Sequence, residues 1–311
     1  EIIMELERKK LRRASLHGRH YFGGNSTSQR AVFITAFVLF VLYVAFVLFF
    51  FVFAFLISLR KDQLTFIDDQ IAKQLFSWPS EPSFDSLITS FTELGKIDSH
   101  STFLSITWNS IWRTVFNSLL GIGSSMMVCY ILVFYRNKLT KFIYNLGIFV
   151  SILPLYGSAA ASYRLFENLG ILNSPLILIT SVSLFGGYFF YMYSFYKSLS
   201  WEYAEAAFVD GAGHYRVFFQ VMLPMALPSA SALYVMSFIA GWNDYESTLL
   251  YMRDYPNLAY AVYAYGEVTK YNANVPAYFA GILVSLLPIL ILFLCFQNTI
   301  MEKVYLGGLK G

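Results

Sequence analysis

Residues 31–59 read AVFITAFVLFVLYVAFVLFFFVFAFLISL, without one Asp, Glu, Lys, Arg or His among them. About 20 apolar residues in a helix cross the hydrocarbon core of a bilayer, so Ala31–Leu59 is predicted to be a first transmembrane helix. The bias continues outward from it. Of 311 residues, 57% are hydrophobic, 19% aromatic and 13% charged, against about 25% charged in soluble domains. Mean hydropathy is +0.54. Only helices satisfy this much backbone inside lipid at this composition, and the fold class expected is all-α integral membrane.

Charge orients the spans. Residues 1–30 hold Arg8, Lys9, Lys10, Arg12, Arg13, Arg19 and Arg30 against Glu1, Glu5 and Glu7. Residues 60–107 reverse the balance, with Arg60, Lys61, Lys73 and Lys96 against Asp62, Asp68, Asp69, Glu81, Asp85, Glu93 and Asp98. Positive-inside bias then puts 1–30 in the cytoplasm and 60–107 outside as a long loop. Trp78-Pro79 and Glu81-Pro82 break any helix within that loop. Met4 is a candidate start, and the first apolar run is too long for a signal peptide.

Five further spans are predicted at about Ile111–Tyr135, Phe142–Tyr163, Pro175–Tyr196, Ser229–Tyr251 and Pro276–Gln297, giving six in all. Pro154 and the polar Gly157-Ser158 interrupt the third. Arg136, Lys138 and Lys141 mark a cytoplasmic turn, and residues 252–275 are read as an outer loop. The domain plan is therefore a basic segment 1–30, a first span 31–59 and an outer loop 60–107. A core 108–298, holding a cytoplasmic loop 197–228, and a basic tail 299–311 complete it. Both ends are expected in the cytoplasm. Cys129 and Cys295 sit in apolar runs and read as small buried hydrophobes.

The loop 197–228 contains EAAFVDGAGHYRVFFQVMLP, Glu205 to Pro224. A short helix is expected from Trp201 to Val209, with Ser200 as its N-cap and Glu202 in the first turn, where the helix dipole favours an acid. Glu202 and Glu205 lie about 60° apart on it. Ala206 and Ala207 are small enough for another surface to approach. Asp210-Gly211 stops the helix in the left-handed region. His214–Met222 is expected as a second helix, with Arg216 and Gln220 on one face and Tyr215, Phe218 and Phe219 on another. Leu223-Pro224 is expected to close it. The bland alternative is a helical hairpin lying on the membrane surface.

The spacing of Glu205, Ala206, Ala207, Gly211, Leu223 and Pro224 resembles the EAA loop of bacterial ABC importer permeases. Further stretches resemble the carbohydrate-importing, maltose-transporter-like branch. They are Asn117-Ser118, Asn168–Asn173, Phe195–Leu199, Trp242–Tyr245 and the tail Gly307–Gly311, and they point to the second permease of a pair. Ser200 stands where that family usually has Pro. The resemblance implies docking of a cytoplasmic ATPase on Glu205, Ala206, Ala207, Asp210, Gly211, Leu223 and Pro224. It also implies a second permease subunit, two ATPase subunits and an extracytoplasmic solute-binding protein as partners, in the bacterial cytoplasmic (inner) membrane. The cargo implied is a carbohydrate, in the form of an oligosaccharide, with no nucleic-acid partner.

Polar groups at membrane depth are candidates for a substrate path. In the second span this singles out Asn117. In the fifth it singles out Asn243, Asp244 and Glu246, read as two-thirds of the way through, with Trp242 and Tyr245 beside them to stack on a sugar. Alternatively Trp242–Glu246 lie at the outer interface, where Trp and Tyr gather, and Asn117 packs helices. Arg164 and Glu167 are expected in solvent outside. No phosphate-binding G-x-x-x-x-G-K-[ST] loop occurs, so ATP and Mg are expected in the partner ATPase and no cofactor or metal in this chain. His17, His20, His100 and His214 are scattered, and nothing suggests an enzyme. The rival readings are an ATPase-independent six-helix channel or secondary transporter, or an ABC permease for another solute.

Overall fold

The computed structural model describes residues 27–97, 101–153, 158–183, 185–272 and 274–307. Most of the basic segment 1–30, Pro154 and Gly157 of the third span, and Gly308–Gly311 of the tail lie outside the described residues. The chain divides into two units, residues 1–55 and 56–311. Helix α1, Thr27–Ser58, makes up the described part of the first. It is apolar all round, with Phe46 and Phe50 edge to face at 4.9 Å. A helix without a polar side suits lipid rather than water.

Among the described residues the regular elements of the second unit are helices, with an isolated bridge between Arg60 and Pro82. Its first part is an ordered cap rather than a loop. Helices α2 (Gln63–Ile71) and α3 (Asp85–Gly95) flank the stretch that holds Trp78-Pro79 and Glu81-Pro82. Asp62 caps α2 by accepting from the Thr65 amide and hydroxyl at 2.9 and 2.8 Å, which holds its carboxyl below the usual carboxylate range. Arg60, fully buried, pairs with Asp69 at 2.9 Å and donates to the carbonyls of Leu56, Gln74 and Leu75. Ser86 donates to the Arg60 carbonyl at 2.6 Å. With its partners all in place, this buried charge ties the two ends of the cap together.

Helix α4, Phe103–Phe134, begins eight residues before its predicted span. Thr102 and Ser105 form a capping box there. At 32 residues it is about 48 Å long. One buried stripe runs along it at three- and four-residue intervals: Ile106, Ser110, Arg113, Thr114, Ser118, Ile122, Ser125, Met126, Cys129, Tyr130 and Val133. The stripe is polar toward the N-terminal end and apolar toward the C-terminal end. Small residues let neighbours come close; a Cβ on Gly121 would meet the Ser181 carbonyl at 3.5 Å.

Among the described residues four helices, α1, α4, His214–Trp242 and Val275–Cys295, are long and apolar enough to cross a membrane. The third and fourth predicted spans come as shorter pieces. The third is α5 (Lys138–Ile152) and α6 (Ala159–Asn168). The fourth is a 3₁₀ turn at Pro175–Ser181, then α7 (Phe189–Ser198). Ser181–Ser183 and Gly186-Gly187 separate those two, and Ser183 Oγ caps the Phe185 amide. Serine and glycine there favour turns over helix.

Three further expectations are corrected. Pro224 does not end its helix. Residues 218–222 form a π turn in which the Leu223 amide donates to the Phe218 carbonyl five residues back. That wider turn makes room for a ring that clashes in a tighter helix, and α10, Leu223–Trp242, runs on through Pro228. Residues 252–275 are not a loop but mostly α12, Leu258–Asn272, which buries Leu258 and Ala261 one turn apart. Cys295, on the last helix α13 (Val275–Gly307), is exposed, whereas Cys129 is buried as predicted.

Candidate functional site

Two places collect the chemistry. The first is the loop 197–228. Helix α8 covers Glu202–Val209 with Trp201, not the expected Ser200, at its N-cap; Ser200 stands one residue earlier, and its Oγ accepts from the Glu202 amide at 3.2 Å. Its other end is a Schellman stop, with Gly211 N–H to Phe208 O and Ala212 N–H to Ala207 O, both 3.0 Å. Gly211 takes φ +81° there, the region glycine enters without strain. The short helix α9 (His214–Val217) and the π turn follow.

The loop is rooted in an apolar and aromatic core. Ala204, Val217 and Met222 are fully buried, and Phe218 nearly so, beside Tyr130, Val133 and Tyr196. Trp201 stacks on Phe134 with centroids 4.9 Å apart, and Phe218 lies 4.8 Å from Tyr130. Tyr135 Oη and His214 Nδ1 share a 2.6 Å hydrogen bond. The opposite face is bare: Glu202, Tyr203, Glu205, Ala206, Val209 and Asp210 are exposed, Val209 by 88%. Of the predicted docking residues, Glu205, Ala206, Asp210, Gly211 and Pro224 are exposed, while Ala207 and Leu223 are half-buried and pack on the core. Arg216 Nε donates to Gln220 Oε1 at 2.8 Å, the face pairing read from spacing. Phe218 turns inward, away from the exposed Tyr215 and Phe219.

The second place is a cavity of about 210 Å³ lined by both polar and apolar side chains. Helix α4 contributes Arg113, Thr114 and Asn117 to its lining. Its other walls come from Ser162 and Phe166 on α6, Thr180 and Ser181 on the 3₁₀ turn, and the stretch from Gly241 to Asn257. Arg113, 6% exposed, donates through Nη1 to Thr248 Oγ1 at 2.6 Å and the Tyr255 carbonyl at 2.7 Å, and through Nη2 to Ser247 Oγ at 2.9 Å. Thr248 donates to Asn257 Oδ1 at 3.1 Å, and Asn257 Nδ2 to the Asp244 carbonyl at 2.8 Å. Ser181 donates to the Asn117 amide oxygen.

This cavity unites Asn117 and Asp244 and leaves the other candidates outside its walls. Asn243 and Asp244 lie past the end of α10, not within a span. Asn243 is the C-cap of α10, and Asp244 Oδ1 accepts from the Ser247 amide at 3.0 Å in front of α11, Glu246–Tyr251. Asn and Asp favour such caps over helix interiors. Trp242 is 3% exposed, lies against Phe238 and donates from its indole to the Ser285 carbonyl at 3.1 Å. Tyr245 stacks on Tyr263 at 4.5 Å, and Glu246 is exposed. Arg164 and Glu167 are exposed, as predicted. Arg113 was missed in the sequence, although a lone charge in an apolar run is itself a functional signal.

Residues 119–300 match the family described as binding-protein-dependent transport system inner membrane component. The chain is 29% identical over 247 residues to the diacetylchitobiose uptake system permease protein of Streptomyces coelicolor, covering 78% of this chain and 79% of that one. It is 29% identical over 237 residues to the arabinooligosaccharides transport system permease protein of Halalkalibacterium halodurans, covering 75% and 81%. In structure it resembles a chain of a bacterial ABC transporter involved in import of the acidic polysaccharide alginate. That match has a TM-score of 0.66 and 19% identity, over 88% of this chain and 98% of that one, and bears on the fold alone.

Proposed function

Because the chain belongs to the binding-protein-dependent transport system inner membrane component family, we propose that it forms half of the translocation path of an ABC importer for a carbohydrate, an oligosaccharide delivered by an extracytoplasmic solute-binding protein. Membership makes it an integral inner-membrane transport subunit. The sugar class is supported by the names of the relatives, uptake permeases for diacetylchitobiose and arabinooligosaccharides. A second permease completes the path, and ATP with Mg is handled by two ATPase subunits, not by this chain.

One observation carries the mechanical part. Helix α8 is held at both ends, by Ser200 and by the Gly211 stop, and rooted through Ala204 and Trp201, while its far face stays bare. A short rigid helix with one buried and one bare face transmits a push. In this reading the ATPase docks on Glu205, Ala206, Asp210 and Gly211. Its closure moves α8, and Phe134 and Tyr130 pass the motion to α4. The chain crosses the membrane six times with both ends in the cytoplasm. The third crossing combines α5 with α6, and the fourth combines the 3₁₀ turn with α7.

Co-purification of the chain with its ATPase, followed by Glu205→Arg and Gly211→Val, tests this. Both changes are expected to weaken assembly and ATP-coupled uptake together. If assembly and uptake both survive, docking through α8 is wrong. Uptake by the chain alone, without ATPase, would favour a channel or secondary transporter instead.

A further inference from the structure

We propose that the cavity beside Arg113 is a saccharide subsite carried by this chain alone, one that takes a single uncharged sugar residue of the cargo. This rests on the carbohydrate reading above and goes beyond it in naming the groups and the charge of the ligand. A guanidinium has five N–H donors. Arg113 places three of them, on Thr248, Tyr255 and Ser247, and two have no acceptor among the described residues. Asp244 uses Oδ1 on the Ser247 amide, and its Oδ2 has no donor among the described residues. Asn117 accepts from Ser181 through its oxygen, and its Nδ2 has no acceptor among the described residues. Ser162 Oγ makes no side-chain bond among the described residues. All four side chains line one cavity.

Donors and acceptors left open on a cavity wall can be met by a ligand that supplies the complementary set. Arg113 and Asp244 share the cavity wall without a direct ion pair. The cavity is thus charge-balanced but unneutralised locally. A diol spans such a pair, donating one hydroxyl to the carboxylate and accepting the guanidinium N–H on the next. A carboxylated sugar would instead compete with Asp244 for Arg113 and leave the cavity with a net negative charge. Phe166 and Tyr251, edge to face at 5.1 Å, also line the space and offer an apolar surface to the ring C–H groups. At about 210 Å³ the space is smaller than the roughly 300–1,000 Å³ of drug-sized pockets, which suits one residue of an oligosaccharide rather than the whole.

The test uses the complete importer in proteoliposomes, with diacetylchitobiose and arabinotriose as neutral probes and an alginate trisaccharide as the acidic one. The unaltered assembly is expected to take up a neutral probe. Asp244→Asn keeps the oxygen that caps the Ser247 amide and removes only the charge. It should raise the KM for the neutral probe at least about tenfold, as loss of a hydrogen bond to a charged group does, with a smaller change in kcat. It should also shift preference toward the acidic trisaccharide, which a merely structural role would not do. Asn117→Ala should raise KM in the same direction, and decides the matter if Asp244→Asn does not assemble. If KM and preference stay within twofold of the parent in the variants that assemble, the subsite is wrong and the permease reading stands. If the unaltered assembly takes up no saccharide at all, the carbohydrate reading itself is overturned. Uptake of the acidic trisaccharide alone overturns the neutral subsite while leaving the carbohydrate reading in place.

Discussion

The two halves of α4 share one buried stripe and do different work. On the proposed topology the outer half carries Ser110, which accepts from the Leu258 amide, and Arg113, which donates to Ser247, Thr248 and the Tyr255 carbonyl. The inner half, Ile122, Met126, Tyr130 and Val133, packs beneath the loop 197–228. Directional bonds fix the positions of polar groups around a cavity, as a binding site requires. Dense packing transmits displacement, because a well-packed interior compresses little. In this reading one helix joins a specific outer end to a mechanical inner end.

If this division is right, truncations in the two halves should fail differently. The largest effect is expected from Phe218→Ala, which empties space beside Tyr130 at the base of the loop. A loss of about 3 kcal/mol is expected, toward the lower end for buried Phe→Ala. Thermal unfolding of the detergent-solubilised complex should show it, together with loss of ATPase co-purification. Arg113→Met is expected to cost about 2–3 kcal/mol by leaving Ser247, Thr248 and the Tyr255 carbonyl without their charged donor. Here the ATPase should still co-purify while uptake falls. Arg113→Lys should recover the stability only in part, since an ammonium lacks the planar fork that reaches three acceptors at once. If Arg113→Met releases the ATPase as Phe218→Ala does, the two halves are not separable.

The halves also differed in how far the sequence revealed them. The inner end was legible because its signals are local. Glu202, Asp210-Gly211 and the Arg216–Gln220 spacing each act within one or two turns and fall where the pattern puts them, and Ser200 sits one residue short of the cap it was expected to make. Pro224 misled because a π turn, which has no sequence signature here, changes what a proline does. The outer end depends on contacts across long separations: Arg113 and Thr248 are 135 residues apart. Nothing local announces that Asp244 meets Asn117 through a shared cavity, or that Trp242 turns away from it to Ser285. The apolar runs that became α1, α4, α10 and α13 were plain, because length and composition suffice. The break in the fourth span was not, because Ser181–Ser183 and Gly186-Gly187 interrupt the helix without reducing hydropathy much.

A milder probe of the inner end is Gly211→Ala. The open space around Gly211 leaves room for a Cβ, so the cost is conformational only, about 1 kcal/mol for a left-handed alanine. The helix stop should loosen while the core under it stays intact. ATP-coupled uptake is then expected to fall several-fold, with thermal stability nearly unchanged. Equal losses in both would mean that the loop is part of the folding core rather than a lever mounted on it.

The smallest expected effect lies outside both halves and calibrates them. Asp62 caps α2 on the exposed surface of the outer cap, and bonds from Thr65 hold its carboxyl below the usual range. A carboxyl depressed in the folded state contributes stability that is fully present above its unfolded pKa and fades as pH falls through the folded value. Protection of the Thr65 amide from hydrogen exchange should therefore be flat from neutral pH down to about 4, the ordinary carboxylate range, and decline below it. Asp62→Ala should abolish that pH dependence and leave uptake and ATPase association unchanged. A cap that shifts uptake would show that the outer cap is coupled to the cavity end of α4, and that the outer half reaches further than the bonds of Arg113.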